Sequence, residues 1–292
     1  MTTIASLIFT GIAQGCIYGL VALSFVLIYK ATEAVSFAQG DLMMLGAFLG
    51  LAAMQLAGFD YWLAIPSAVL ATALIGLLAE RALVRPLLGQ PVLAVVLLTL
   101  GLGYMLRGAV TMVPDLGTDT HRLPTPYEGL QWKAGPVPLD ATLLVVVGAT
   151  ALLCMLLYLG FSRTRIGIAM QAASQNQLAA AYMGIPVSAL TGLVWALAAG
   201  VAAVAGLLLA PITFVHAGMG LLGLKAFPAA VVGGFGSLPG ALIGGLLIGL
   251  VESFSGYFLP EGFKDVAPYV VVLVVLAVRP HGLFGESLRK KV

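Results

Sequence analysis

The chain has 292 residues, of which 61% are hydrophobic and only 9% charged, whereas soluble domains carry about 25% charged residues. There are too few charges to cover a globular surface. The formal charge of +2 implies no nucleic-acid partner. Cys16 and Cys154 lie inside apolar runs, against a disulfide framework, and three scattered histidines offer no metal site. The apolar runs are long and unalternated, where a membrane β-barrel needs short alternating segments. The reading is an all-α polytopic membrane protein, a single transmembrane domain over 1–292.

A spanning helix needs about 20 apolar residues. Candidate spans fall at 5–28, 39–57, 62–84, 92–113, 139–161, 188–211, 238–258 and 266–279. No basic stretch precedes the first run and no small-residue cleavage site follows it, so it is expected to be a retained span. A ninth piece, at about 224–235, is too short to cross and is set off by Gly233, Gly234, Gly236, Ser237, Pro239 and Gly240. The expectation is about eight transmembrane helices plus one short or re-entrant glycine-rich helix.

Lys30, Arg81, Arg85, Arg163, Arg165, Arg279, Arg289, Lys290 and Lys291 fall on one set of connections. Arg122, Lys133, Lys225 and Lys264 fall on the other. The positive-inside rule puts the first set, with the C-terminus, in the cytoplasm and the N-terminus outside. That parity requires the short piece to reach the cytoplasmic side at Gly236 to Gly240. The longest outer connection, 114–138, holds five prolines with Tyr127 and Trp132 and is expected to cap the outer mouth.

The segment 162–187 is the longest one past the chain's midpoint that is not built for lipid. Arg163 and Arg165 open it, Ile168 to Tyr182 reads as one short helix, and Gly184 with Pro186 ends it. Pinned between two spans on the arginine-rich side, it suits docking to a cytoplasmic partner. The chain holds no G-x-x-x-x-G-K-[ST] phosphate loop, so any ATP is expected to be used by another chain, with no cofactor bound by this one.

Few polar residues lie at membrane depth. Gln39 and Asp41 open the second span, either near a translocation path or as a helix-start carboxylate at the cytoplasmic interface. Arg107 is free to pair with Asp41 or Glu252, to line a water-filled path, or to snorkel outward. The glycine-rich stretch 231–245, with Gly234 and Gly236, serves either close helix packing or a broken helix whose backbone meets a substrate. His216 and Lys225 are read as outer-loop residues, and no nucleophile–base spacing points to catalysis.

Four motifs then agree: SFAQGDLMMLGAF (36–48), AMQAASQNQLAAAYMGIP (169–186), LKAFPAAVVGGFGSLPGALIGGLLIGLVE (224–252) and RPHGLFG (279–285). In this order they resemble the branched-chain amino acid ABC permeases, the smaller H-type subunit of the pair. The resemblance implies an importer half in a bacterial inner membrane, with a second permease subunit, two ATPase subunits and a periplasmic or extracellular binding protein. It places an ATPase contact at Ala172, Asn176, Ala180 and Gly184. It leaves Gln39, Asp41, Arg107, Gly234 and Gly236 as pathway candidates. Urea or short amides remain alternative cargoes, and a stand-alone secondary transporter is the rival class.

Overall fold

Backbone polar groups in an apolar layer must pair within their own segment, so uncharged apolar runs fold as helices. The computed structural model describes residues 2–87, 89–134 and 137–285, without the side chains of 2, 132–134 and 137–139. Arg289, Lys290 and Lys291, which weighed in the orientation above, lie outside the described residues. In chain order the helices are α1 (Thr2–Thr32), α2 (Gln39–Gln55), α3 (Tyr61–Ala79), α4 (Val92–Thr111), α5 (Ala141–Arg163), α6 (Arg165–Gln175), α7 (Gln177–Tyr182), α8 (Val187–Thr213), α9 (Gly220–Leu224), α10 (Ala226–Gly233), α11 (Leu238–Phe258) and α12 (Phe263–Val278).

Six of them, α1, α3 with its continuation to Leu87, α4, α5, α8 and α11, are long and apolar enough to cross a membrane. Helices stand at all eight expected positions, but α2 has 17 residues and α12 has 16, short of the ~20 a crossing needs. The six-helix count is therefore what length and composition support. The fold is also not purely helical. In the outer loop, Gln131–Ala134 (β1) pairs antiparallel with Val137–Asp140 (β2), and the loop is tied to the end of α8 by paired backbone bonds between His121 and Val215.

Helices α1, α2 and α8 form the buried centre, whereas α4 and α5 are peripheral. Glycine sets how closely the central helices approach. α1 and α11 run antiparallel, and a Cβ at Gly245 or Gly249 would strike the Cα of Gly19 or Gly15. Gly46 of α2 meets Ala203 of α8, and Gly76 of α3 meets Ala199. The glycines of the first and eleventh helices are thus consumed inside this chain.

The expected re-entrant piece is a broken helix. A 3-10 turn (Ala217–Met219) leads into α9, and α10 follows after Lys225. α10 runs back against α11, Gly233 touching Gly240 and Ala229 touching Gly244. Gly234, at φ +95°, then turns the chain, and the Ser237 hydroxyl accepts from Gly240 N to cap α11. The 279–285 motif folds onto this turn: Leu283 N donates to Val232 O (2.8 Å) and Phe284 N to Gly233 O (3.2 Å).

The molecule has two ends. At one lie α6, α7, the C-terminus of α1 and the α10–α11 turn; a bond from Gln177 Nε2 to Ala31 O (3.0 Å) joins α7 to α1, and α6, α1 and the turn share a cavity of about 830 Å³. The β-hairpin marks the other end.

Candidate functional site

The residues singled out at membrane depth come together only in part. α2 begins inside the fold, not at an interface: Gln39, Gly40 and Leu42 are buried. This removes the reading of Asp41 as an interfacial helix-start carboxylate. Phe37 N donates to Thr99 Oγ1 of α4 (3.1 Å), which sets α2 against the middle of that helix. Four residues on, Asp41 faces Arg107. Nε and Nη2 of the arginine both donate to Oδ1, at 3.1 and 2.7 Å. Gly103 and Gly220 make the room, since a Cβ on either would collide with the Asp41 carboxylate.

The pair lies about 22 Å along α4 from Val92 and about 21 Å along α2 from Gln55, at 1.5 Å per residue. It lies within the described helices, four residues before the end of α4 and two after the start of α2, and it is not sealed: the side chains of Arg107 and Asp41 keep 23% and 12% of their surface exposed. The Arg107 guanidinium also lies 5.7 Å from the ring of Tyr104, whose 71% exposure continues the same face of α4. Charge on a membrane-spanning helix must meet protein or water, not lipid.

Of the alternatives for Arg107, the structure thus holds the Asp41 pairing. Glu252 has other partners. It is 1% exposed and accepts from Lys225 Nζ at 3.3 Å, and the same ammonium reaches Asp265. Lys225 is accordingly no outer-loop residue; it pins the joint between α9 and α10 to α11 and α12. Gln39 is fully buried, with neither amide atom hydrogen-bonded among the described residues. Gly234 is enclosed: a Cβ there would meet Gly285 N and His281 O, which leaves no room for a ligand. Gly236 lines the cavity at the α6–α7 end. An aromatic cluster of Tyr29, Phe235, Phe227 and Phe37 stands between that cavity and the start of α2.

The 162–187 segment differs from the single helix expected. Asn176 is extended (φ −158°, ψ 103°), and its Oδ1 accepts from Ala179 N at 2.9 Å, so it ends α6 and caps α7. Thr164 caps α6 in the same way through Gly167 N. Ala172, Asn176 and Gly184 are exposed, but Ala180 is buried at 4% and packs within this chain. It is therefore removed from the candidate contact. The exposed surface belongs instead to Leu178, Tyr182 and Met183, each more than 70% exposed. Leu178 and Tyr182 lie one turn apart on α7, with Met183 at its C-terminal end.

A family model described as "Branched-chain amino acid transport system / permease component" matches residues 7–276. The chain belongs to this family of ABC permeases. It is 30% identical to the high-affinity branched-chain amino acid transport system permease protein LivH of Escherichia coli (strain K12), over 97% of this chain and 96% of that one. Identity is also 30% to BraD of Pseudomonas aeruginosa, with 97% and 96% covered. A probable LivH of Methanocaldococcus jannaschii is 30% identical over 93% and 89%. Among solved structures, PsaBC from Streptococcus pneumoniae in complex with Fab superposes with a TM-score of 0.50 at 18% identity, covering 97% of this chain and 94% of that one. That likeness concerns the fold alone. The chain is therefore a membrane permease subunit, a transporter and not an enzyme.

Proposed function

We propose that this chain is half of the membrane pathway of an ATP-driven importer for branched-chain amino acids, working with a second permease subunit, two ATPases and a binding protein outside. ATP is used by the ATPases. The described Lys30, Arg81, Arg85, Arg163, Arg165 and Arg279 flank the helix ends beside α6 and α7, which supports a cytoplasmic location for that end and for the C-terminus. α2 fills the centre of the six long helices, and α12 and the broken α9–α10 helix complete the layer. The pathway runs along the α4 face that carries Tyr104 and the Arg107–Asp41 pair, because charges on a spanning helix require water or protein, not lipid.

The observation that carries the coupling role is the apolar knob of Leu178, Tyr182 and Met183 on a rigidly capped six-residue helix. Exposed apolar side chains on the arginine-rich side of a membrane protein fit a groove on a soluble partner. Closure of the ATPases then moves α6–α7 and, through Gln177 and Ala31, the end of α1. The test is Leu178→Asp with Tyr182→Asp. The variant should reach the membrane at normal level but lose co-purifying ATPase and at least nine-tenths of ATP-dependent leucine uptake. Undiminished uptake would remove the coupling role from α7.

A further inference from the structure

We infer that the Arg107–Asp41 pair is a receptor for the two charged ends of an amino-acid zwitterion in transit, with Tyr104 as the wall for its apolar side chain. The inference rests on the importer reading above and adds the substrate chemistry of one site. Both hydrogen bonds of the pair go to Oδ1. Among the described residues, Oδ2 of Asp41 accepts none and Nη1 of Arg107 donates none, and both side chains keep exposed surface. One free carboxylate oxygen and one free guanidinium nitrogen complement an ammonium and a carboxylate held on one carbon. A guanidinium can bind two carboxylates at once through different edges. An uncharged amide or urea gains far less from such a site, because neither of its ends is charged.

The neighbouring face fits the rest of the ligand. Tyr104 is 71% exposed and Leu100 38%, and at the i, i+4, i+7 spacing both lie on the face of α4 that carries the guanidinium. Gly103 and Gly220 admit the Asp41 carboxylate between α4 and α9, and the edges left unbonded are Oδ2 of the aspartate and Nη1 of the arginine.

The test uses the complex that co-purifies with this chain, reconstituted in proteoliposomes with its binding protein, and labelled leucine as the probe. Asp41→Asn with Arg107→Gln removes both charges and keeps a neutral hydrogen bond across the pair. The expected result is at least a tenfold fall in maximal uptake, with little change in the leucine concentration at half-maximal rate, which the binding protein sets. Co-purification and thermal unfolding of the variant report whether it has assembled. Arg107→Lys keeps a cation beside Asp41 but lacks the second edge, and is expected to recover unfolding temperature more than uptake. Wild-type uptake in either variant, in an assembled complex, would overturn the inference. Absence of leucine uptake in the wild type would instead overturn the importer reading on which it rests.

Discussion

At the scale of single residues, the Arg107–Asp41 pair is a stability liability unless both members are present. Taking charges out of water is costly, and removing one partner leaves the other uncompensated, on the order of 3 kcal/mol. Arg107→Gln alone should lower the unfolding temperature more than the double variant with Asp41→Asn, a non-additivity that a double-mutant cycle in detergent measures directly. Additive effects would mean that the two side chains do not interact energetically. This pairing was one of four alternatives open to the sequence, because depth is not readable from a linear chain. Only the packing of α2 against Thr99 and Gly103 selects it. Lys225 illustrates the same limit: a lysine between apolar runs reads as a loop residue, yet it neutralises Glu252 across a span of 27 positions.

At the scale of elements, some glycines touch a neighbouring backbone and others touch nothing. Gly249 meets Gly15 across the α1–α11 contact, whereas a Cβ at Gly148 of α5 would find open space. Gly249→Leu should therefore separate two central helices and abolish stable expression. Gly148→Ala should leave the unfolding temperature unchanged or raise it slightly, since Ala exceeds Gly in helix propensity by about 1 kcal/mol. Equal effects at both positions, followed by fluorescence-detected size exclusion, would argue against the helix pairing. The helices themselves were legible from apolar runs, to within a few residues at most ends. Less legible was the division of the 162–187 segment. Ala-rich sequence reads as continuous helix by propensity, but the Asn176 side chain satisfies Ala179 N and breaks it. The exposed knob of Leu178, Tyr182 and Met183 follows from that break, as does the withdrawal of Ala180 into the fold. Gly184 at φ +82° closes the segment, a conformation that costs other residues roughly 1–2 kcal/mol.

At the scale of the whole molecule, two anchors hold the broken α9–α10 helix: Gly220 beside the Arg107–Asp41 pair and Lys225 against Glu252 and Asp265. Its far end is seated by the 279–285 segment. The helix thus links the Arg107–Asp41 pair to the α6–α7 end, the arrangement a subunit needs if motion at a docking helix is to reach a pathway. Class and family were readable from four motifs in order. The hairpin, and the shortness of α2 and α12, were not. Composition marks apolar runs but does not say where tertiary packing lets a helix begin below the surface. The most direct test of the account is leucine uptake by proteoliposomes holding the complex purified through this chain, with its binding protein, measured with and without ATP inside the ATPase compartment. The account predicts accumulation that requires ATP hydrolysis and co-purified ATPases. Accumulation by the chain alone, driven by an ion gradient without ATP, would contradict it.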